Sequence, residues 1–308
     1  LNATFNIGHN KNKIDKLASG EKEWILTSAW RNDVVNSDDY RAYVGGTSGL
    51  IYGYVNDGFY TVADFESFDS KSRTWKLKEG VVDSSPLSDT PRPGNAKFKK
   101  LTPVDPNSTN PYQLTEADRT VIGNTTPKFS GGFGLNATYK GFDMSMFFNF
   151  MYDFDVLNAN KIMLTTWADN KENNFLMDIA SDKRWRNFDD MGNEIRYSPE
   201  VLAEFNKNAT MWNPTSIGRP ICMSYAVEDG SFLRLNSATL GYTLPSVWTK
   251  KVGLSKVRFY VSGNNLFTLT GYSGYDPEVN IATGLTPNID YNRYPRSRTY
   301  TFGAQLTF

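Results

Sequence analysis

Residues 129–150, FSGGFGLNATYKGFDMSMFFNF, decide the fold. Phe129, Phe133, Leu135, Ala137 and Tyr139 alternate with Ser130, Gly132, Asn136, Thr138 and Lys140. Beyond Lys140-Gly141, the residues Phe142, Met144, Met146, Phe148 and Phe150 alternate with Asp143, Ser145 and Asn149, and Phe147 is the one dissenter. A period of two marks a strand whose two faces meet different surroundings. A Lys-Gly link between two such runs has the length of a tight hairpin. Strands of a soluble sandwich usually run about 5 to 6 residues, whereas a tilted membrane-crossing strand needs about 9 to 11. Both arms are of the longer kind. Aromatic residues stand at both ends of each apolar face, as they do in the two girdles of a membrane barrel.

The same alternation extends outward from this hairpin. Ala3, Phe5 and Ile7 oppose Asn2, Thr4, Asn6 and Gly8; Val257, Phe259 and Val261 oppose Arg258, Tyr260, Ser262 and Asn264. At the far end Tyr300, Phe302, Ala304, Leu306 and Phe308 share one face. In residues 231–242 the apolar phase switches between Leu235 and Ala238, which predicts a β-bulge. Between the strands, short and long connections alternate. The long stretch after Tyr152 carries expected helices around 172–182 and after Ser198-Pro199, where Ser would cap and Pro fits the first helical position. A second long loop is expected from Leu266 to Arg298. With long loops outside and short turns inside, the carboxyl terminus falls on the periplasmic side of a bacterial outer membrane.

Composition narrows the function classes. The 308 residues carry 33 basic and 33 acidic side chains, one His and one Cys. The balance argues against a nucleic-acid partner. One His and one Cys leave little for a zinc site or a His-based triad, so the chain reads as no enzyme. The mean hydropathy of −0.49 describes a chain without an apolar membrane helix, but a barrel strand is only half apolar.

Several blocks then carry a family likeness. The stretches GLIYGYVNDGFY (49–60), DRTVIGNTTPKFSGGFGLNATYKGFDMSMFFNF (118–150), VEDGSFLRLNSATLGYTLP (227–245), VRFYVSGNNLFTLTGYSGYDPEVN (257–280) and YPRSRTYTFGAQLTF (294–308) occur in the order of the SusC/RagA family of TonB-linked outer-membrane transporters, which they resemble. NATFNIGHNKNKIDKL (2–17) fits the strand before them. The resemblance implies an all-β fold: residues 1–308 as the carboxyl-terminal part of a transmembrane antiparallel β-barrel, with the plug and earlier strands absent. The barrel would be one of 22 strands, with long extracellular loops containing short helices. It also implies import of large glycans or peptides, a SusD-like lipoprotein lid, and the TonB complex acting through the plug. A terminal aromatic face, Phe302, Leu306 and Phe308, resembles the signal read by the barrel-assembly machinery, with outer-membrane lipid around the finished wall. The rival readings are a soluble or surface β-rich glycan-binding module and a small complete barrel of eight to ten strands that would use segments near Trp24 and Tyr52.

Candidate sites remain few. Trp167, Trp185 and Trp212 in the longest loop, with Tyr272 and Tyr275 in SGYDPEVN, are the expected substrate or lid contacts. Family members often carry a calcium-like loop before the DRTVIGN block. Asp105, Asn107, Thr109 and Glu116 keep the first, third, fifth and twelfth positions of such a loop. Asn110 replaces the turn glycine and Pro111 restricts it, so the expectation is a polar surface loop and no cofactor, with calcium the alternative. The pairs Asp38-Asp39 and Asp189-Asp190 read as solvated, Cys222 as a buried thiol and His9 as loop-exposed.

Overall fold

Lys140 and Gly141 both adopt positive φ, 46° and 89°, the mirror-image turn whose twist matches that of its flanking strands. The computed structural model describes residues 1–28, 30, 38–166, 174–218, 220–278 and 284–308. In it this turn joins the strands Phe129–Tyr139 and Phe142–Tyr152, which pair in antiparallel register from Phe129 opposite Tyr152 to Tyr139 opposite Phe142. They are the second and third strands of a six-stranded sheet. The first is Asn2–Gly8, and the remaining three are Phe232–Thr243, Lys256–Thr270 and Thr299–Thr307, each pairing with its predecessor. We call this sheet the wall. An 11-residue strand at about 3.3 Å per residue and a tilt of roughly 40° rises about 28 Å, enough to cross the apolar layer of a membrane.

The two faces of the wall are built differently. On one, cross-strand neighbours form apolar rows: Phe5, Phe133, Phe148, Leu235 and Phe267 succeed one another from strand to strand. Phe133 stacks on Phe148 at 4.5 Å, and Phe142 meets Tyr242 at 4.5 Å. Much of this face is bare in the chain as folded; Phe5 is 66% exposed and Phe302 81%. Such a surface is tolerable against lipid and a liability in water. The other face is polar, with Asp143 paired to Arg258 across two strands. Its few large side chains lie over glycines. A Cβ at Gly132 would stand 3.0 Å from the Phe147 ring, and one at Gly303 2.3 Å from the Tyr260 ring. Phe147, the dissenter from the alternation, is therefore a cover for a glycine stripe.

The bulge falls where the phase switch placed it. Register shifts between Leu235 and Ser237, leaving Asn236 as the extra residue opposite an irregularity at Asn265 and Leu266. The fifth strand continues through that irregularity to Thr270, so the predicted loop from Leu266 begins five residues too early. No pairing joins the first and sixth strands among the described residues, and Trp24 and Tyr52 lie in a separate four-stranded sheet. The small complete barrel is thereby excluded in favour of an open arc.

Three long connections, 9–128, 153–231 and 271–298, leave one end of the wall, while the Lys140-Gly141 turn and residues 244–255 close the other. The long connections fold together. Strands Glu23–Leu26, Tyr40–Tyr43, Leu50–Gly53 and Thr120–Asn124 make one sheet, and Val227–Asp229, Asp155–Asn158 and Ile289–Asp290 make another. The helix Pro199–Phe205 begins with the expected proline, but Ser198 makes no side-chain cap. Of the expected helix at 172–182, the described part holds a single 3-10 turn at Met177–Ile179 and a second turn from Ser181, with no α-helix.

Candidate functional site

A core shared by all three long connections lies in this loop layer. Trp30, Tyr40 and Ile51 from the first connection pack with Leu157, Ile162 and Cys222 from the second and Ile289 from the third. Backbone bonds stitch the same junctions: Tyr54 N–H donates to Cys222 O at 3.0 Å and Leu157 N–H to Asn288 O at 3.0 Å. Asn288 Nδ2 reaches Thr125 O at 2.9 Å. Burial of this apolar surface, at roughly 25 cal/mol per Å², is what holds the three connections as one body.

Buried carboxylates pin it. Asp39 is 1% exposed and accepts from Ser28 N–H at 2.8 Å, from the Ser28 hydroxyl and from Trp30 Nε1 at 3.1 Å. Burial pushes its pKa up to about 6 despite those bonds. The expectation that Asp38-Asp39 is a solvated pair thus fails for Asp39, whose neighbours fold it inward. Asp118 is fully buried. Burial alone would raise its pKa, but donors from Thr102, Thr115 and Leu101 outweigh that and hold the carboxyl well below the usual range. It closes a capping box with Thr115. Burial and the charge of Asp39 push the Cys222 thiol far up, which leaves it inert as a nucleophile.

A second network ties the third connection to the polar face of the wall. Arg234, 2% exposed, donates to both oxygens of Asp276 at 2.6 and 3.2 Å and lies 3.1 Å from Glu278, which also meets Arg296 at 3.3 Å. A buried arginine is tolerated only with such bidentate partners. The residues DPE of SGYDPEVN are thereby drawn down onto the fourth wall strand.

The five aromatic candidates separate sharply. Trp167 lies outside the described residues. Trp185 and Trp212 are buried in two different core clusters, although Trp185 also lines a cleft: a long loop that folds its own core spends its tryptophans there. Tyr272 is buried, with its hydroxyl 2.7 Å from Asp290 Oδ2. Tyr275 stands 86% exposed. At the calcium-like stretch, Asp105 accepts from Asn107 N–H at 2.9 Å in a local turn. Among the described residues no group of three or more His, Cys, Asp or Glu side chains converges as a metal cluster. His9 is exposed and its Nδ1 lies 2.6 Å from Lys128 O.

The fold so described is an open wall of long antiparallel strands roofed at one end by a joint loop layer. No protein-family model matches the chain. The TonB-dependent receptor P3 of Formosa agariphila is 32% identical over 310 residues, spanning 99% of this chain and 26% of that protein. The receptor P39 of the same organism is 23% identical over 99% of this chain and 28% of its own length, and the TonB-dependent receptor SusC of Bacteroides thetaiotaomicron is 38% identical over 88 residues. Among solved structures, the RagAB peptide importer in its closed-closed state matches with a TM-score of 0.63 at 22% identity, covering 99% of this chain and 27% of that one. The chain spans about a quarter of the length of the curated relatives it matches most fully. Over that quarter its sequence is similar to those of TonB-dependent receptors, SusC among them, and its fold to that of the RagAB importer.

Proposed function

We propose that this chain forms part of the barrel of an outer-membrane importer that takes up large nutrients, glycan oligosaccharides or peptides, in a TonB-dependent cycle. The observation that carries the reading is the wall itself: bilayer-length strands whose aromatic, solvent-bare face suits lipid, with every long connection gathered at one end. In this reading the loop layer is extracellular, the short turns and Phe308 are periplasmic, and a SusD-like lipoprotein covers the loop layer as a lid. TonB would act through a plug domain elsewhere in the protein. The exposed row of Phe302, Leu306 and Phe308 would engage the barrel-assembly machinery before the sixth strand finds its second neighbour.

Uptake of labelled oligosaccharides and peptides by cells carrying the full-length gene tests this. Loss of uptake on deleting TonB is expected, with the protein still in the outer membrane as a heat-modifiable band. Uptake that persists without TonB would overturn it.

A further inference from the structure

The loop layer holds a cleft of about 370 Å³ whose lining carries four arginines, Arg92, Arg184, Arg186 and Arg196, against one carboxylate, Asp189. The oxygens of Asp189 are already committed to Met191 N–H, Asn193 N–H and Asn193 Nδ2. Three of the guanidiniums have their own acids outside the lining: Asp89 for Arg92, Asp190 for Arg186 and Glu194 for Arg196. Asp190 and Asp89 are mostly in solvent, where such pairs contribute little and yield to a competing anion. Aromatic faces hold two of the guanidiniums in place, Phe205 under Arg186 at 4.4 Å and Phe188 beside Arg196 at 5.5 Å.

Arg184 differs from the others. Among the described residues it has no carboxylate partner, and Nη1 alone makes a bond, to Ile179 O at 3.1 Å. A guanidinium has five donors, so most of its capacity has no protein partner among the described residues at the cleft it lines. Burial and the adjacent Arg186 charge pull its pKa below the usual guanidinium range. Like charges crowded in this way are relieved by an anion seated between them. The floor beside them is apolar, formed by Trp185 and Pro214.

We infer that this cleft is a subsite for an anionic group, a carboxylate or a sulfate, on the solute the protein takes up, with Arg184 its principal partner and Arg186 the second. The inference deepens the importer reading and rests on it only in calling the ligand an imported solute.

The test is competition against phenylglyoxal, which modifies accessible guanidiniums, on the purified full-length protein with peptide mass spectrometry as the readout. The probes are inorganic sulfate, galacturonate and neutral galactose at matched ionic strength. Sulfate or galacturonate should slow modification of Arg184 and Arg186 about tenfold, as occupancy of a specific site would, and galactose should not. Protection by sulfate alone or by galacturonate alone identifies which anion the subsite takes. Arg184→Gln should remove the protection of Arg186. Protection no greater than at the exposed Arg293, equal protection by galactose, or undiminished protection of Arg186 in Arg184→Gln would each overturn the assignment. No step depends on transport, so a failure of uptake in cells and a failure here remain separate results.

Discussion

The wall and the loop layer are made from one chain by opposite rules. In the wall, side chains alternate and many large apolar residues stand exposed, Phe302 at 81%. In the loop layer, Tyr40, Ile51, Leu157 and Ile162 are fully or almost fully buried, and polar side chains such as Asp39 and Asp118 are buried with their partners. The wall leaves an apolar face and two edge strands uncovered among the described residues; the loop layer supplies its own interior. A single mean hydropathy averages the two and describes neither.

The largest effect should come from removing the last wall strand. Deleting residues 300–308 from the full-length protein is expected to abolish outer-membrane assembly, read as loss of the heat-modifiable band; normal levels would break the distinction between wall and loop layer at its root. Next, Trp212→Ala should cost the loop layer about 3–5 kcal/mol by opening a cavity, while the barrel still assembles. Limited proteolysis would then cut the loops of an otherwise heat-modifiable protein. If both regions fail together, they are one cooperative unit.

Arg234→Ala leaves Asp276 buried without its cation, a change worth about 3–5 kcal/mol locally. Faster proteolysis within 271–298 and unchanged protection of 9–128 would sharpen the comparison by showing that the third connection has its own tie to the wall. On the lipid side, Phe302→Arg should cost about 2–4 kcal/mol if it lies near the bilayer midplane, and Phe302→Leu should stay near neutral. Equal tolerance of both would put that face in water.

The smallest effect is a slope with pH. Asp39 has a pKa of about 6 in the folded layer, above the roughly 3.9 of an unfolded Asp. Between those values the folded state binds a proton that the unfolded chain has released, so this residue stabilises progressively as pH falls from about 7 towards 4. Asp39→Asn should flatten that part of the melting profile. Below about pH 4 the sign reverses through Asp118, whose depressed pKa makes its contribution present above the unfolded value and lost in acid.

What could be read from the sequence follows the same division. The wall strands were legible because each has one apolar and one polar face, and the Leu235-to-Ala238 phase switch located the bulge to within a residue of Asn236. Phe147 was visible as an exception, but its reason, the glycines opposite, required the register. The loop layer was not legible. Short strands such as Leu50–Gly53, buried on both sides, show no alternation, and a polar segment with scattered aromatics looks like a solvated loop until its partners from distant connections are known. The burial of Trp185 and Trp212 in such cores was hidden for that reason. Arg184 and Arg186 flank Trp185 in plain sight, yet nothing in the sequence says that Arg92 and Arg196 close around them.

The cluster built from Trp30, Leu157 and Ile289 has a bearing on how such proteins diversify. Residues 9–128, 153–231 and 271–298 interlock, so none can be traded with a homologue alone without leaving the other two mismatched. The heritable unit of change at this end of the molecule is the trio, and a chimera that moves all three at once should tolerate a foreign wall far better than one that moves any single member.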